Sequence, residues 1–299
     1  MSADVAEPQI SARRLVTAAR HLAAPFMGAV VALALAGPLA APPAAAAEEV
    51  DLELVLAVDI SFSMDVEEQR LQRLGYLNAI TSPEVVAAIR SGLVGRVAVA
   101  YVEWAGAGEQ QVVVAWRTIS DATSAEAFAD ALTRAPLRRA FRTSIAEAIA
   151  FSTELIETNG YEGMRRVIDV SGDGPNNQGR IVTAMRDRAI AQGITVNGLP
   201  LLLKRSYNSY FDIPDLDRYY ETCVIGGAGA FSEPVREIEA FGEAVRRKLV
   251  LEIAAPTEAA PRVVPVQAPA ADGTAPAPAV DPFCLIGERI WRERIGDDR

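Results

Sequence analysis

Three features of the sequence predict an α/β fold: a doubly wound, mostly parallel sheet with one antiparallel edge strand and helices on both faces. First, apolar runs recur at residues 52–58, 97–102, 112–116, 167–170 and 194–199. They are continuous rather than alternating, as strands covered on both faces must be. Second, the segments between them carry helical stripes, with Ile145, Ala148, Ile149, Ser152 and Leu155 on one face and Ile238, Phe241, Val245 and Leu249 on another. Strands alternating with amphipathic helices give a doubly wound sheet. Third, only a short segment containing Gly106 and Gly108 separates runs 97–102 and 112–116. No crossover helix fits there, so these two strands form an antiparallel hairpin at the sheet edge.

The ends of the chain read differently from its middle. Arg13, Arg14 and Arg20 precede an Ala/Val/Leu stretch from about residue 22 to 39, followed by Pro42, Pro43 and an alanine run ending at Ala47. Residues 1–47 are therefore expected to be a secretory signal cleaved near Ala47, leaving no stable membrane span. The alternative is an uncleaved N-terminal anchor, since the stretch approaches the roughly 18 residues that cross a bilayer; Pro25 and Pro38 weaken that reading. Arg13-Arg14 also permits a twin-arginine route, although Val16 and Thr17 follow where stronger hydrophobes are usual. The expected destination is the periplasm or the medium. Residues 48–254 are read as one domain, 255–281 as an extended Pro/Ala linker and 282–299 as a C-terminal tail.

Charge and composition exclude several functions. The chain has 29 basic and 39 acidic residues, and without residues 1–47 the balance is 26 against 37, a net charge of −11. Nucleic acid is not an expected partner. Arg165-Arg166 and Arg246-Arg247-Lys248 are read as solvated ends of a strand and a helix. The single histidine, His21, lies in the expected signal. A Ser-His-Asp arrangement and a His-ligated zinc site are thus both excluded from the mature chain. With Cys223 and Cys284 the only cysteines, a metal would be held by oxygen, which points to Mg²⁺ or Mn²⁺ ahead of Ca²⁺. In an exported chain, pairing Cys223 with Cys284 would pin the tail to the domain; two free thiols or an intermolecular bridge are the alternatives.

Three segments supply oxygen donors at the junctions where such a fold places ligands. Asp59-Ile60-Ser61-Phe62-Ser63 follows the first strand, Arg142-Thr143-Ser144 opens a helix, and Ser171-Gly172-Asp173-Gly174 ends a later strand. Singly these residues are ordinary caps and turn formers. An EF-hand loop starting at Asp59 fails, because Met64 stands where Gly is needed and Arg70 where the bidentate Glu belongs.

Together the segments resemble the metal-ion-dependent adhesion site of von Willebrand factor type A domains: D-x-S-x-S, then a Thr, then an Asp, each in its own loop. The wording RTSIAEAI, DVSGDGPNN and YYETCVIGGAGAF also resembles an exported bacterial family of unknown function built on that domain. The resemblance covers about residues 50–254. It implies that Ser61, Ser63 and Thr143 offer hydroxyls directly to the cation, while Asp59 and Asp173 hold its waters. It further implies an adhesion-type module that meets an Asp or Glu carboxylate of a protein partner. Competing readings are a Mg²⁺-dependent hydrolase of phosphates or esters using Asp59 or Asp173 as base, and an envelope protein whose metal is structural.

Other residues carry weaker expectations. Asp169 and Glu103 interrupt apolar strands and need partners, either an Arg or a role behind the metal ligands. Asn176 and Asn177 are read as ligand rim or turn. Gly226-Gly227-Ala228-Gly229 reads as a turn, and the aromatic group between Tyr207 and Tyr220 as core with a face to spare for binding.

Overall fold

The computed structural model describes residues 47–203, 213–255 and 280–295, all within one compact unit, 45–299. The expected signal, most of the linker, and Tyr207, Tyr210 and Phe211 lie outside the described residues.

Five strands form one sheet: β1 (Glu48–Asp59), β2 (Val97–Trp104), β3 (Gln111–Ile119), β4 (Tyr161–Gly172) and β5 (Thr195–Pro200). Their order is β3-β2-β1-β4-β5. β1 lies at the centre and runs parallel to both β2 and β4, with Leu54 opposite Val99 on one side and Val167 on the other. β3 is the antiparallel edge strand. The sheet is the predicted one. Its strands run longer than their apolar runs; residues 161–166 of β4 alternate in exposure and carry no continuous hydrophobic signal.

Both faces are covered. Leu52, Leu54, Leu56 and Val58 pack with α1 (Val66–Ile80), α2 (Pro83–Arg90), α3 (Ala122–Arg134) and α7 (Phe241–Ala254). Val55 and Ala57 face α4 (Ile145–Glu157) and α5 (Val182–Ala191). The short α6 (Leu216–Tyr219) runs into a π-helical turn over Tyr220–Val224, which buries Cys223 in this second layer. Cys223 is disulfide-bonded to Cys284. That bond draws the tail helix α8 (Ile286–Ile295) onto the domain, where Phe283, Ile286 and Ile290 extend the second core cluster.

Several sequence readings need correction here. Asp169 pairs not with an arginine but with Lys248 of α7, at 2.7 Å, and Lys248 also bonds Glu252. Lys248 is therefore no solvated helix end; it is fully buried. Arg165 is not a solvated strand end either, since it donates to the last carbonyls of α7, Glu252 O at 2.6 Å and Ile253 O at 2.9 Å. Glu103 does meet an arginine, Arg73 of α1. Tyr219 and Tyr220 are core residues, and the glycine segment after them is a turn with Gly227 and Gly229 at positive φ.

Candidate metal centre

At the carboxyl edge of the sheet, β1 delivers Asp59 as its last residue and β4 ends one residue before Asp173. The chain after β1 folds back at once, because the Ser61 N–H donates to Asp59 Oδ1 at 2.7 Å, an Asx turn. Ser61 then bridges Ala140 in parallel, with the Phe62 N–H on Ala140 O at 3.0 Å and the Ala140 N–H on Ile60 O at 3.1 Å. The loop that carries Thr143 is thereby tied to the loop that carries the serines. Asp65 is consumed elsewhere, as the N-cap of α1 in a capping box with Glu68.

Thr143 arrives through an unusual turn. Arg142, just before it, has φ 71°, the only positive φ at a non-glycine among the described residues. Left-handed backbone at a bulky residue costs about 1 kcal/mol or more and persists only where its surroundings impose it. Ser144, not Thr143, is the N-cap of α4, so the Thr143 hydroxyl lies outside the cap. Asn177 clamps the Thr143 backbone from the third segment: the Thr143 N–H donates to Asn177 Oδ1 at 3.0 Å, and the Asn177 N–H donates to Thr143 O at 2.9 Å. Asn177 is thus a brace for Thr143.

Asn176 is not on the rim. It is fully buried; its Oδ1 accepts from the Ala146 N–H at the start of α4, and its Nδ2 donates to Glu288 of α8 at 2.7 Å. A Cβ at Gly287 would come within 2.0 Å of Asn176 O, so only glycine lets the tail helix approach this closely.

The oxygens converge. Ser61 Oγ and Ser63 Oγ are 2.7 Å apart, and Ser63 Oγ donates to Asp173 Oδ1 at 2.6 Å. Asp59 Oδ2 is buried with no hydrogen-bond partner. Burial first, and the Asp173 charge second, hold the Asp59 carboxyl well above the usual carboxylate range. Two carboxylates, Asp59 and Asp173, and the two serine hydroxyls are packed together. Among the described residues no three His, Cys, Asp or Glu side chains cluster as a metal site, so neutral hydroxyls would have to complete any coordination. An orphaned carboxylate oxygen beside a hydroxyl chain fits a hard divalent cation.

The surroundings include residues that sequence reasoning missed. A Cβ at Gly172 would lie 2.9 Å from Asp59 Oδ2, 2.9 Å from the Tyr220 hydroxyl and 3.2 Å from Trp104. The Tyr220 hydroxyl and the Trp104 indole N–H are both buried without hydrogen-bond partners. Burial, then the charges of Asp59 and Asp173, push the Tyr220 phenol well above its ordinary value. The only sequence signal for this group was YYETC, which spacing alone does not aim at the site.

A mostly parallel, doubly wound sheet with this edge defines a von Willebrand factor type A-like domain. The pilus adhesin SpaC of Lactobacillus rhamnosus GG shares the fold, at 13% identity and a TM-score of 0.51 over 70% of this chain and 31% of that one. A von Willebrand factor type A protein from Catenulispora acidiphila aligns at 16% identity and TM-score 0.47, over 69% and 43%. Proximal thread matrix protein 1 from the mussel byssus, in a form whose own adhesion motif is occupied by zinc, aligns at 13% identity and TM-score 0.46, over 70% and 49%. The chain spans less than half the length of each of these proteins. No curated protein matches it in sequence. Residues 49–257 match the family described as protein of unknown function, DUF1194, and the chain belongs to that family.

Proposed function

We propose that the protein is an exported, metal-dependent binding module that recognises an acidic group on a protein partner. One observation carries this reading: Asp59 Oδ2 is orphaned beside Asp173 and the Ser61–Ser63 hydroxyl pair at the carboxyl edge of the sheet. Ser61, Ser63 and Thr143 offer neutral oxygens as direct ligands, and Asp59 and Asp173 supply charge and water-holding acceptors behind them. Mg²⁺ or Mn²⁺ suits that donor set better than Ca²⁺, which favours more and larger-radius oxygen contacts. A divalent cation held mainly by neutral hydroxyls supplies a Lewis-acidic position that an anionic oxygen can fill, and a carboxylate is the protein group that does so.

Export is supported by the buried Cys223–Cys284 bond, which belongs to oxidising compartments. No helix among the described residues is long and apolar enough to cross a membrane. The test is affinity capture with the mature protein in Mg²⁺ and in chelator, set beside the Asp173→Ala variant. A partner retained equally in Mg²⁺, in chelator and by the variant would refute the reading; a partner retained only by the wild type in Mg²⁺ is the expected result.

A further inference from the structure

The edge that carries Ser61, Ser63 and Thr143 also carries side chains for which a metal has no use. Phe62 stands between the two serines and Phe141 two residues before Thr143, and their rings stack with centroids 4.3 Å apart. Phe62 is 44% exposed and Phe141 73% exposed, with Leu137 on the same loop 39% exposed. Stacked aromatics left in water forgo hydrophobic free energy that a partner's apolar side chain would recover. The shelf is also held in place, because the backbone bridge between Ser61 and Ala140 fixes the two loops against each other.

The same loop is basic, in a chain whose net charge is −10. Arg134, Arg138, Arg139 and Arg142 all fall between α3 and α4 or at the end of α3. Arg134 lies 3.9 Å from Asp130, and Arg138 lies 3.4 Å from Glu109. The other two have no carboxylate partner among the described residues. Arg139 sits 4.5 Å over the Phe62 ring and donates to the carbonyls of Phe62, at 3.0 Å, and Met64. Arg142 stacks 3.8 Å over Trp291 of α8. Among the described residues, Arg139 meets only carbonyls and a ring and Arg142 only a ring, so both guanidinium groups retain donors for an incoming carboxylate. A positive rim around the metal edge is complementary to an acidic partner, although the net charge of the whole chain is −10.

We infer that this rim is the docking surface for an extended acidic segment of a partner protein. The segment lays an apolar side chain on the Phe62–Phe141 shelf and presents carboxylates to Arg139 and Arg142, next to the one directed at the metal centre. This inference rests on the proposed function and specifies its partner: a carboxylate flanked by a large apolar residue and by further acids, in place of a lone surface acid.

A random peptide library displayed on phage, panned on the intact protein in Mg²⁺, tests it. The wild type should enrich sequences with Asp or Glu within two positions of Phe, Leu or Trp. A synthetic peptide of that consensus should bind the double variant Phe62→Ser/Phe141→Ser on the order of tenfold or more weakly, the scale of one lost aromatic contact. Mg²⁺ affinity by calorimetry and the melting temperature of the variant should stay at wild-type values, since both rings are exposed. If the variant enriches the same sequences and binds the peptide equally well, the docking surface is wrong while the metal reading stands. If the wild type enriches no acid-bearing sequence in Mg²⁺, both are overturned.

Discussion

Replacing Asp59 by Asn should stabilise the protein without metal and remove its response to metal. Asp59 is fully buried, and an ionised carboxylate buried without a cation carries a net penalty of several kcal/mol. The Ser61 N–H, at 2.7 Å, and hydrogen bonds from the Ser61 hydroxyl and the Asp173 backbone offset it in part, while burial and the Asp173 charge outweigh them. Asn keeps the volume and the Oδ1 acceptor, discards the charge and gives the orphaned Oδ2 position a donor. The expected gain in metal-free stability at pH 8 is about 1–3 kcal/mol, the cost of one unsatisfied buried group. For a domain of roughly 200 residues this is a rise of about 2–4 °C per kcal/mol. In the wild type, Mg²⁺ at about a hundred times its Kd should add about 2.7 kcal/mol by mass action; Asp59→Asn should gain little. The two melting curves should therefore exchange order between chelator and Mg²⁺ in differential scanning calorimetry. A variant that melts below wild type in chelator, or that shows the full Mg²⁺ shift, refutes the reasoning.

Four further outcomes are expected. Gly172→Ala puts a methyl 2.9 Å from both Asp59 Oδ2 and the Tyr220 hydroxyl, so Mg²⁺ affinity by calorimetry should fall on the order of tenfold or more, the scale seen when groups that orient metal ligands are disturbed; unchanged affinity refutes it. Burial, then the Asp169 charge, raises the Glu252 carboxyl to about 7, against about 4.3 unfolded. A raised folded-state value means that stability is fully present below about pH 4 and is lost as pH climbs through about 7. Glu252→Gln should thus gain on wild type by on the order of 1–3 kcal/mol between pH 5 and pH 8 in urea titrations, and a pH-independent difference would sink this. Finally, Cys284→Ser opens a loop of sequence separation 61 and should cost at most roughly 4 kcal/mol. Gly287→Ala should lift α8 from the loop of Asn176 and speed amide exchange at Ala146 and Asn177, read by hydrogen exchange; unchanged exchange in both variants would detach the tail from the site.

What the sequence determined is whatever depends on local pattern. Five apolar runs, continuous over several residues, marked the strands, although the one at 112–116 became the half-buried edge strand β3, and the short Gly106–Gly108 connection could only turn back on itself. Asp59, Ser61, Ser63, Thr143 and Asp173 were legible because each sits where a strand or helix ends, and the parallel topology sends all such ends to one edge. The tertiary structure decided which long-range partners those residues have. Nothing in the sequence pairs Asp169 with Lys248 across the sheet–helix interface, and a lysine beside two arginines reads as a solvated end until α7 is packed face down on the sheet. Nor does it say that Arg142 bends left-handed, that Ser144 takes the cap from Thr143, or that Asn176 is a buried link to Glu288. Those outcomes depend on which surfaces remain once the core has closed. Segments far apart in the chain, such as the tail and the loop after β4, become neighbours only through packing, which no sequence period encodes.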